Sequence, residues 1–202
     1  MKVTKALVVV DLQNDFCPRG ALQVKDGDKI IAPINDLVAA FEEDDLPIAF
    51  TRDWHPRDHC SFKAQGGVWP PHCVQRTLGA EFHPSLKVPA DAIMISKGMH
   101  KDRDAYSGFQ ETDLAERLRR AGASELFVCG LATDYCVKNT VLDALKLGFD
   151  AYVVTDCVKG VNLAQTDSAN AIRLMVAEGA KRVIGPGLLK KLNRRVAVSS
   201  SS

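Results

Sequence analysis

An α/β fold, in which helices cover both faces of a mostly parallel sheet, is the fold class that this sequence predicts. Short, continuous apolar runs such as ALVVV at residues 6–10 alternate along the chain with segments of helical spacing. Continuous apolar runs are typical of strands that are buried on both faces, as they are in parallel sheets. Parallel strands also need a long connection between them, and the helical segments supply it.

The first half of the chain contributes three strands and one helix. The spacing of residues 28–43 predicts the helix, which accommodates Pro33 in its first turn, where proline disrupts no helical hydrogen bond. A long connection, residues 53–89, precedes the third strand and is rich in His, Pro and Gly. Connections of this length in a compact domain are usually functional or disordered. Apolar runs predict the three strands at residues 5–11, 46–53 and 91–98.

The second half alternates helices and strands without a break. Gly122 and Gly148 close its first two helical segments, as glycine typically does at the C-terminus of a helix. The helical segments are residues 111–122, 133–148 and 162–180. The apolar runs that predict strands are residues 124–130, 150–156 and 181–185, so six strands are expected in all.

The length of 202 residues predicts one domain, at residues 1–196, followed by a polar tail at 197–202 that we expect to be disordered. Lys and Arg number 26 against 25 Asp and Glu, so neither nucleic acid nor an anionic membrane is expected as a partner. The first apolar run stops at Asp11, which is too early for a signal peptide. We therefore expect a cytoplasmic protein, and the sequence leaves its oligomeric state, including a homo-oligomer, open.

Six cysteines are present and no two of them have C-x-x-C spacing. A disulfide framework is not expected in a cytoplasmic chain of this length, nor is a structural zinc knuckle. Most of these thiols are expected to be small, inert core residues. They are Cys17, Cys60, Cys73, Cys129, Cys136 and Cys157.

Polar residues follow the ends of four predicted strands. Asp11 follows the first strand, Asp53 the second and Cys136 the fourth, while Lys97 lies at the end of the third. In open parallel sheets, ligands bind beyond the carboxyl ends of the strands, at a point where the strand order reverses. We therefore expect these four side chains to lie together, although they are far apart in the sequence.

Cys136 lies near the start of a predicted helix, with Thr133 or Asp134 as a natural N-cap. The helix N-terminus and a nearby Lys97 would lower the pKa of the thiol. Asp11 could act as general base and acid, and the N–H groups of Ala132 and Cys136 could bind an oxyanion. This combination indicates acyl transfer. A cysteine that only fills the core is the alternative.

The long connection also offers metal ligands. Its segment RDWHPRDH supplies Asp53, His55 and His59, and His72 follows in GGVWPPHC. Mixed carboxylate and imidazole ligation suits zinc, iron(II) or manganese. Histidines exposed on a polar loop are the alternative. Since the chain has neither G-x-G-x-x-G nor the Walker pattern, a dehydrogenase or an NTPase is not expected.

Five segments together resemble the nicotinamidases of the isochorismatase-like cysteine hydrolases. They cover residues 7 to about 160 in the order of that family, and five motifs are far more specific than one. The segments are VVVDLQNDFCPRGAL, TRDWHPRDHCSF, GGVWPPHCVQ, SKGMHKDRDAYSGF and GLATDYCVKNTVLDALKLGF. The resemblance implies a three-layer α-β-α isochorismatase-like (Rossmann-like) fold with six strands, in which the first and fourth are adjacent.

The resemblance also assigns roles, residue by residue. It implies a cis peptide bond between Leu131 and Ala132, and it matches His59 to a position that ligates the metal in some relatives only. The catalytic triad would be Asp11, Lys97 and Cys136, with the N–H groups of Ala132 and Cys136 as oxyanion hole. The metal ligands would be Asp53, His55 and His72, and the walls of the substrate pocket would be Phe16, Trp69 and Tyr106.

The function that the resemblance implies is a metal-dependent amidase, which would hydrolyse nicotinamide to nicotinate and ammonia through a cysteine thioester, and would also accept pyrazinamide. Its cofactor would be one divalent metal ion, with zinc expected ahead of iron or manganese. Three alternatives stay open: a related cysteine hydrolase of another small amide or carbamoyl compound, a non-catalytic binding module, and a redox sensor built on Cys136. The sequence does not separate a role in NAD salvage from one in detoxification.

Overall fold

The computed structural model describes residues 4–199, with side chains through residue 192. Six strands form one sheet in the order β3-β2-β1-β4-β5-β6, and every neighbouring pair is parallel. The predicted number of strands and the adjacency of the first and fourth are confirmed. The strands are β1 Thr4–Val10, β2 Ile48–Asp53, β3 Ile93–Lys97, β4 Ala123–Leu131, β5 Asp150–Lys159 and β6 Lys181–Val183.

Helices cover both faces of the sheet, which confirms the three-layer α-β-α fold. They are α1 Ile31–Glu43, α2 Leu114–Arg120, α3 Lys138–Lys146, α4 Asp167–Ala177 and α5 Gly185–Ser199. Helices α1 and α5 pack against one face, where Leu7 and Val9 of β1 point. Helices α2, α3 and α4 pack against the other face, where Val8 and Val10 point. Because both faces of β1 are buried, its sequence is a continuous apolar run.

The ends of the helices agree with the sequence in part. Pro33 lies in the first turn of α1, and Gly122 and Gly148 follow α2 and α3 with positive φ, as predicted. Helix α5, in contrast, was not predicted. Its Leu188 and Leu192 are one turn apart and buried against α1 and the sheet.

The end of the chain carries one prediction that stays open. The polar tail expected at 197–202 overlaps the last residues of α5 at 197–199 and lies outside the described residues from position 200 onward. Among residues 4–199, no helix is long and apolar enough to cross a membrane.

The long connection between β2 and β3 is an ordered structure rather than a disordered segment. It contains two 3₁₀ turns, Lys63–Gln65 and Leu78–Ala80. Isolated bridges join His55 to Val74 and Phe62 to Trp69 within it. The connection therefore folds back on itself and covers the carboxyl ends of the strands in the middle of the sheet.

Candidate active site

The ends of four neighbouring strands bring the predicted polar residues together. Lys97 Nζ lies 2.9 Å from Asp11 Oδ2 and 3.4 Å from Cys136 Sγ. The same ammonium group forms an ion pair with Asp53 Oδ1 and donates to the carbonyl oxygen of Ala105 at 3.2 Å. Since the strand order β3-β2-β1-β4 places these strand ends in a row, Lys97 reaches across from β3 to the turn after β4.

Burial makes this group of charges interdependent. Asp11, Lys97 and Cys136 are at most 6% exposed. Burial alone would lower the pKa of Lys97, but the carboxylates of Asp11 and Asp53 outweigh it and raise that pKa well above its ordinary value. Burial raises the pKa of Asp11, and Lys97 offsets this only in part. Lys97 is therefore the permanent cation of the site.

The thiol of Cys136 differs from the sequence-based expectation. Its pKa is raised well above the ordinary value, because burial and the carboxylates of Asp11 and Asp53 outweigh the attraction of Lys97. The expectation of a lowered pKa considered only the helix N-terminus and Lys97. Two carboxylates already share that lysine, so a resting thiolate would be a third anion around one cation. The raised pKa favours the protonated thiol, and Asp11, whose carboxylate lies within 4.8 Å of Sγ, is the acceptor beside it.

The turn that carries Cys136 also differs in detail. Residues Thr133–Val137 form a π-helical turn, and its N-cap is Ala132 rather than Thr133 or Asp134. The carbonyl oxygen of Ala132 accepts hydrogen bonds from the N–H groups of Tyr135 and Val137, at 3.0 and 3.1 Å. The predicted cis peptide bond between Leu131 and Ala132 is present. The helical turn begins at Thr133, as predicted, but its cap lies one or two residues earlier than the sequence suggested.

Asp134 has a different role from the predicted cap. Its carboxylate is buried and accepts hydrogen bonds from the N–H groups of Val161 and Asn162, at 2.9 and 2.7 Å. These two residues follow β5, so Asp134 ties the turn of Cys136 to the connection between β5 and α4.

Three predicted metal ligands form a cluster next to this site. Single donor atoms of Asp53, His55 and His72 lie within 4.8 Å of one another, and all three side chains are buried. His55 Nδ1 donates to the carbonyl oxygen of Gly98 at 2.9 Å, and His72 Nδ1 donates to that of Pro70 at 2.8 Å. A carbonyl only accepts, so Nδ1 of each ring carries a proton and Nε2 is the ring atom available to a metal; in His55 it lies 3.6 Å from Asp53 Oδ2. The donor set fits a divalent metal ion.

His59 lies beside the cluster but outside the group of converging donor atoms. Its Nε2 donates to the carbonyl oxygen of Arg103 at 3.1 Å, and its Nδ1 accepts from Ser61 Oγ at 2.7 Å. Both ring nitrogens therefore have partners within the protein. The ring of His59 stacks on that of His55 with 4.1 Å between centroids, and this packing restricts the orientation of a predicted ligand.

Aromatic side chains line the space beside the cluster. Phe16 lies next to His72, with 5.6 Å between ring centroids. Trp69 Nε1 donates to the hydroxyl of Tyr106 at 2.9 Å, which fixes the two rings relative to each other. Tyr135 was not singled out from the sequence, yet its ring lies 5.1 Å from that of Trp69 and 5.7 Å from that of Tyr106. Tyr135 directly precedes Cys136 in the sequence, and this position is the signal by which it could have been found.

Two further polar residues were missed. Thr51 Oγ1 donates to Asp11 Oδ1 at 2.7 Å, and the pairing of Val10 with Thr51 in the sheet explains why these groups meet. Gln13 is fully buried, and its side-chain amide bonds to the main chain of Asp53. The sequence gives little sign of either contact, because each depends on how β1 lies beside β2.

The sequence and the fold have counterparts among known proteins. The family model described as the isochorismatase domain matches residues 5–183. A nicotinamidase of Escherichia coli is 44% identical over 197 aligned residues, which cover 87% of this chain and 92% of that protein. Structural neighbours include a pyrazinamidase of Pyrococcus horikoshii in complex with zinc, with a TM-score of 0.86 and 49% identity over 89% of this chain and 98% of that one.

A third relative has a ligand in its structure. PnC1 from L. infantum, in complex with nicotinate, has a TM-score of 0.85 and 34% identity, and covers 93% of this chain and 97% of its own. The fold, the converging strand ends and the extent of these matches agree with one another. The chain belongs to the isochorismatase family.

Proposed function

We propose that this protein is a nicotinamidase that hydrolyses nicotinamide to nicotinate and ammonia, and that it also hydrolyses pyrazinamide. The observation that carries the proposal is the position of Lys97 Nζ, 2.9 Å from Asp11 Oδ2 and 3.4 Å from Cys136 Sγ, beside the cluster of Asp53, His55 and His72. The names of the E. coli and P. horikoshii relatives and the nicotinate in the L. infantum structure support the choice of substrate.

The first half of the reaction uses Cys136 as nucleophile. Asp11 accepts the proton of the thiol, and Sγ attacks the carboxamide carbon of the substrate. The N–H groups of Ala132 and Cys136 donate to the oxyanion, and each such donor is worth about 10²–10³-fold in rate. As the tetrahedral intermediate collapses, Asp11 gives its proton to the leaving nitrogen. Ammonia departs, and a thioester between Cys136 and the acyl group remains.

The second half releases the acid. Asp11, again ionised, accepts a proton from a water molecule, whose oxygen attacks the thioester carbon. Collapse breaks the C–S bond, the acid leaves, and Asp11 returns the proton to the sulfur of Cys136. Lys97 stays protonated throughout and holds Asp11 in place, since its pKa is raised by the surrounding carboxylates.

Asp53, His55 and His72 would hold one divalent metal ion, which we propose to be zinc, although iron(II) and manganese suit the same ligand types. When bound, the metal would supply Lewis acidity for the ring nitrogen of the substrate. Phe16, Trp69 and Tyr106 would face the two sides of the ring. Their aromatic surfaces favour a flat heteroaromatic amide over an aliphatic one.

Ammonia release from nicotinamide by the purified, zinc-loaded protein tests the proposal. We expect turnover that is lost in Cys136→Ala and after chelation, and that returns when zinc is added back. Cys157→Ala is the matched control, since Cys157 is an equally buried thiol on β5, and it should keep full activity. If the metal-loaded protein releases no ammonia from nicotinamide or pyrazinamide but does from another small amide or carbamoyl compound, the proposed substrate is wrong and the cysteine chemistry stands.

A further inference from the structure

Gln13 links two parts of the site that the proposed mechanism treats separately. Its side chain is fully buried just beyond β1. Oε1 accepts a hydrogen bond from the N–H of Asp53 at 2.8 Å, and Nε2 donates to the carbonyl oxygen of Asp53 at 2.7 Å. Nε2 also donates to the carbonyl oxygen of Ala80 at 2.8 Å. The amide therefore satisfies both main-chain groups of Asp53 at once.

The main chain of Gln13 makes the connection in the other direction. Its N–H donates to the carbonyl oxygen of Asp11 at 2.9 Å. The paired residues of β1 and β2 end at Val10 and Thr51, and one further main-chain bond runs from Asp11 to Thr51. Beyond that point, the hydrogen bonds of the Gln13 side chain take the place of main-chain hydrogen bonds between β1 and β2. One residue thus fixes the main chain of the catalytic aspartate relative to that of the metal-binding aspartate.

The distance between these two aspartates matters, because they share a single cation. The carboxylates of Asp11 and Asp53 both contact Lys97 Nζ, and both are buried. Two buried carboxylates repel each other strongly, so their separation depends on the main chain that carries them. If Asp53 moved away from Asp11, Lys97 would follow one of the two, and either the triad or the metal cluster would lose its geometry.

We propose that Gln13 is a positioning residue. It sets the distance between Asp11 and Asp53 around Lys97, and thereby fixes the position of the catalytic triad relative to the metal cluster. The part of this inference that concerns catalysis rests on the proposed function. The part that concerns metal binding rests only on the cluster of Asp53, His55 and His72. A side-chain amide suits the role because it carries one acceptor and two donors, as Asp53 and Ala80 require. Glutamate would set a carboxylate oxygen against two carbonyl oxygens.

The test compares Gln13→Met, which keeps the volume and removes the hydrogen bonds, with a control amide remote from the site. Asn35 is that control: its Nδ2 donates to the carbonyl oxygen of Ser85 and its Oδ1 accepts from the N–H of Lys87, both at 2.8 Å. Asn35→Leu therefore removes a similar link between a helix and a loop. The readouts are the Kd for Zn²⁺ by chelator competition, the Tm, and kcat and KM per titrated active site.

We expect Gln13→Met to lose about 10–100-fold in affinity for Zn²⁺, as is typical when the support of a metal ligand is removed. Its kcat per active site should fall by a similar factor at a temperature well below the Tm. Asn35→Leu should lower the Tm alone. If Gln13→Met does not fold, Gln13→Glu, which keeps the acceptor for the N–H of Asp53, takes its place with the same expectations.

Gln13→Met with a lowered Tm but unchanged Zn²⁺ affinity and unchanged kcat would overturn the proposal, since Gln13 would then stabilise the fold without positioning the site. Failure of the proposed function looks different. In that case the wild-type protein binds Zn²⁺ without hydrolysing nicotinamide, while the Zn²⁺ affinity of Gln13→Met still reports whether Gln13 positions Asp53.

Discussion

Lys97 is the residue on which the electrostatics of the site depend. A buried ammonium group is costly unless it is paired, and here the carboxylates of Asp11 and Asp53 pair with it. The thiol of Cys136, 3.4 Å away, would add a further negative charge if it ionised alone. Transfer of its proton to Asp11 keeps the number of negative charges constant. The site can therefore form a thiolate only when a carboxylate is neutralised at the same moment.

Replacement of Lys97 by methionine tests this account. Without the cation, nothing offsets the effect of burial and of the two carboxylates, so the pKa of Cys136 should rise further. Each unit of pKa reduces the thiolate fraction about tenfold. We expect alkylation of Cys136 by iodoacetamide at neutral pH to slow at least about tenfold, and kcat/KM to fall by roughly 10³-fold, as for loss of a main electrostatic contact.

Lys181→Met is the control for that experiment. Lys181 is an exposed lysine on β6 that pairs with Asp150, remote from the strand ends that carry the site. It should leave alkylation and turnover unchanged. An alkylation rate for Lys97→Met equal to that of the wild type would mean that Lys97 does not influence the thiol, and that its role is confined to holding the two aspartates.

At this scale the sequence predicted residues by their place at strand ends, and it missed residues that act through contacts between strands. Asp11, Lys97 and Cys136 could be grouped because parallel strands end at one edge of a sheet. Gln13 and Thr51 could not, since their partners are defined only once β1 lies beside β2. The resemblance to a known family supplied Phe16, Trp69 and Tyr106 as expected pocket walls, but it did not supply Tyr135, whose ring lies beside those of Trp69 and Tyr106.

Among the elements, β1 and β4 approach each other unusually closely where the site begins. Gly130 pairs with Val10 and has φ of +112°. A Cβ atom added there would lie 2.1 Å from the carbonyl oxygen of Val10, which is main chain and cannot move aside. Glycine is therefore required at this position, and it allows the turn that carries Cys136 to start directly beside Asp11.

Gly130→Ala should consequently destabilise the sheet at its centre. It combines an unfavourable φ with a collision between main-chain atoms, and we expect a loss of about 3 kcal/mol or more in the free energy of unfolding. Gly148→Ala is the matched control: Gly148 also has positive φ, +84°, but no atom of the described residues lies within 4 Å of the added Cβ. Its cost should be about 1–2 kcal/mol, from the backbone conformation alone. Urea denaturation measures both, and equal losses would disprove the close approach.

The strands were easier to predict than the helices, for a physical reason. A central strand buried on both faces, such as β1, is a continuous apolar run. The sequence predicted all six strands, although the edge strand β6 is exposed at Lys181 and Arg182. Helix α5 was missed because Gly185, Pro186 and Gly187 at its start are typical of turns, although proline is well tolerated in a first helical turn. The π-helical turn at Thr133–Val137 has the same side-chain spacing as an ordinary helix start over so few residues, so the sequence alone could not distinguish it.

At the scale of the whole molecule, the metal cluster joins the sheet to the long connection that covers it. Asp53 ends β2, whereas His72 lies far along the connection. The segment beside His72 is also held by protein contacts: the N–H of Cys73 donates to Asp15 Oδ2 at 2.7 Å, and the N–H of His55 donates to the carbonyl oxygen of Cys73 at 3.0 Å. A bound metal ion would therefore close the chain between residues 53 and 72 and fasten the covering segment to the strand ends. The sequence predicted a functional loop here, and the resemblance already combined Asp53 at the strand end with His55 and His72 of the loop as metal ligands. The structure brings their donor atoms within 4.8 Å of one another.

Zinc should stabilise the protein through this connection, and its removal should loosen one segment rather than the whole fold. A ligand at 100 times its Kd stabilises the folded state by about 2.7 kcal/mol, which for a chain of this size corresponds to a rise in Tm of about 5–10 °C. His72→Ala should abolish that rise. His83→Ala, which removes a histidine of the same connection whose Nδ1 accepts a hydrogen bond from the N–H of Ser85, should retain it.

In hydrogen exchange, the amides near residues 60–75 should lose protection without zinc while those of β1 and β4 keep it. A zinc-dependent rise in Tm that persists in His72→Ala would place the metal elsewhere, and would mean that the metal does not attach the covering segment to the strand ends.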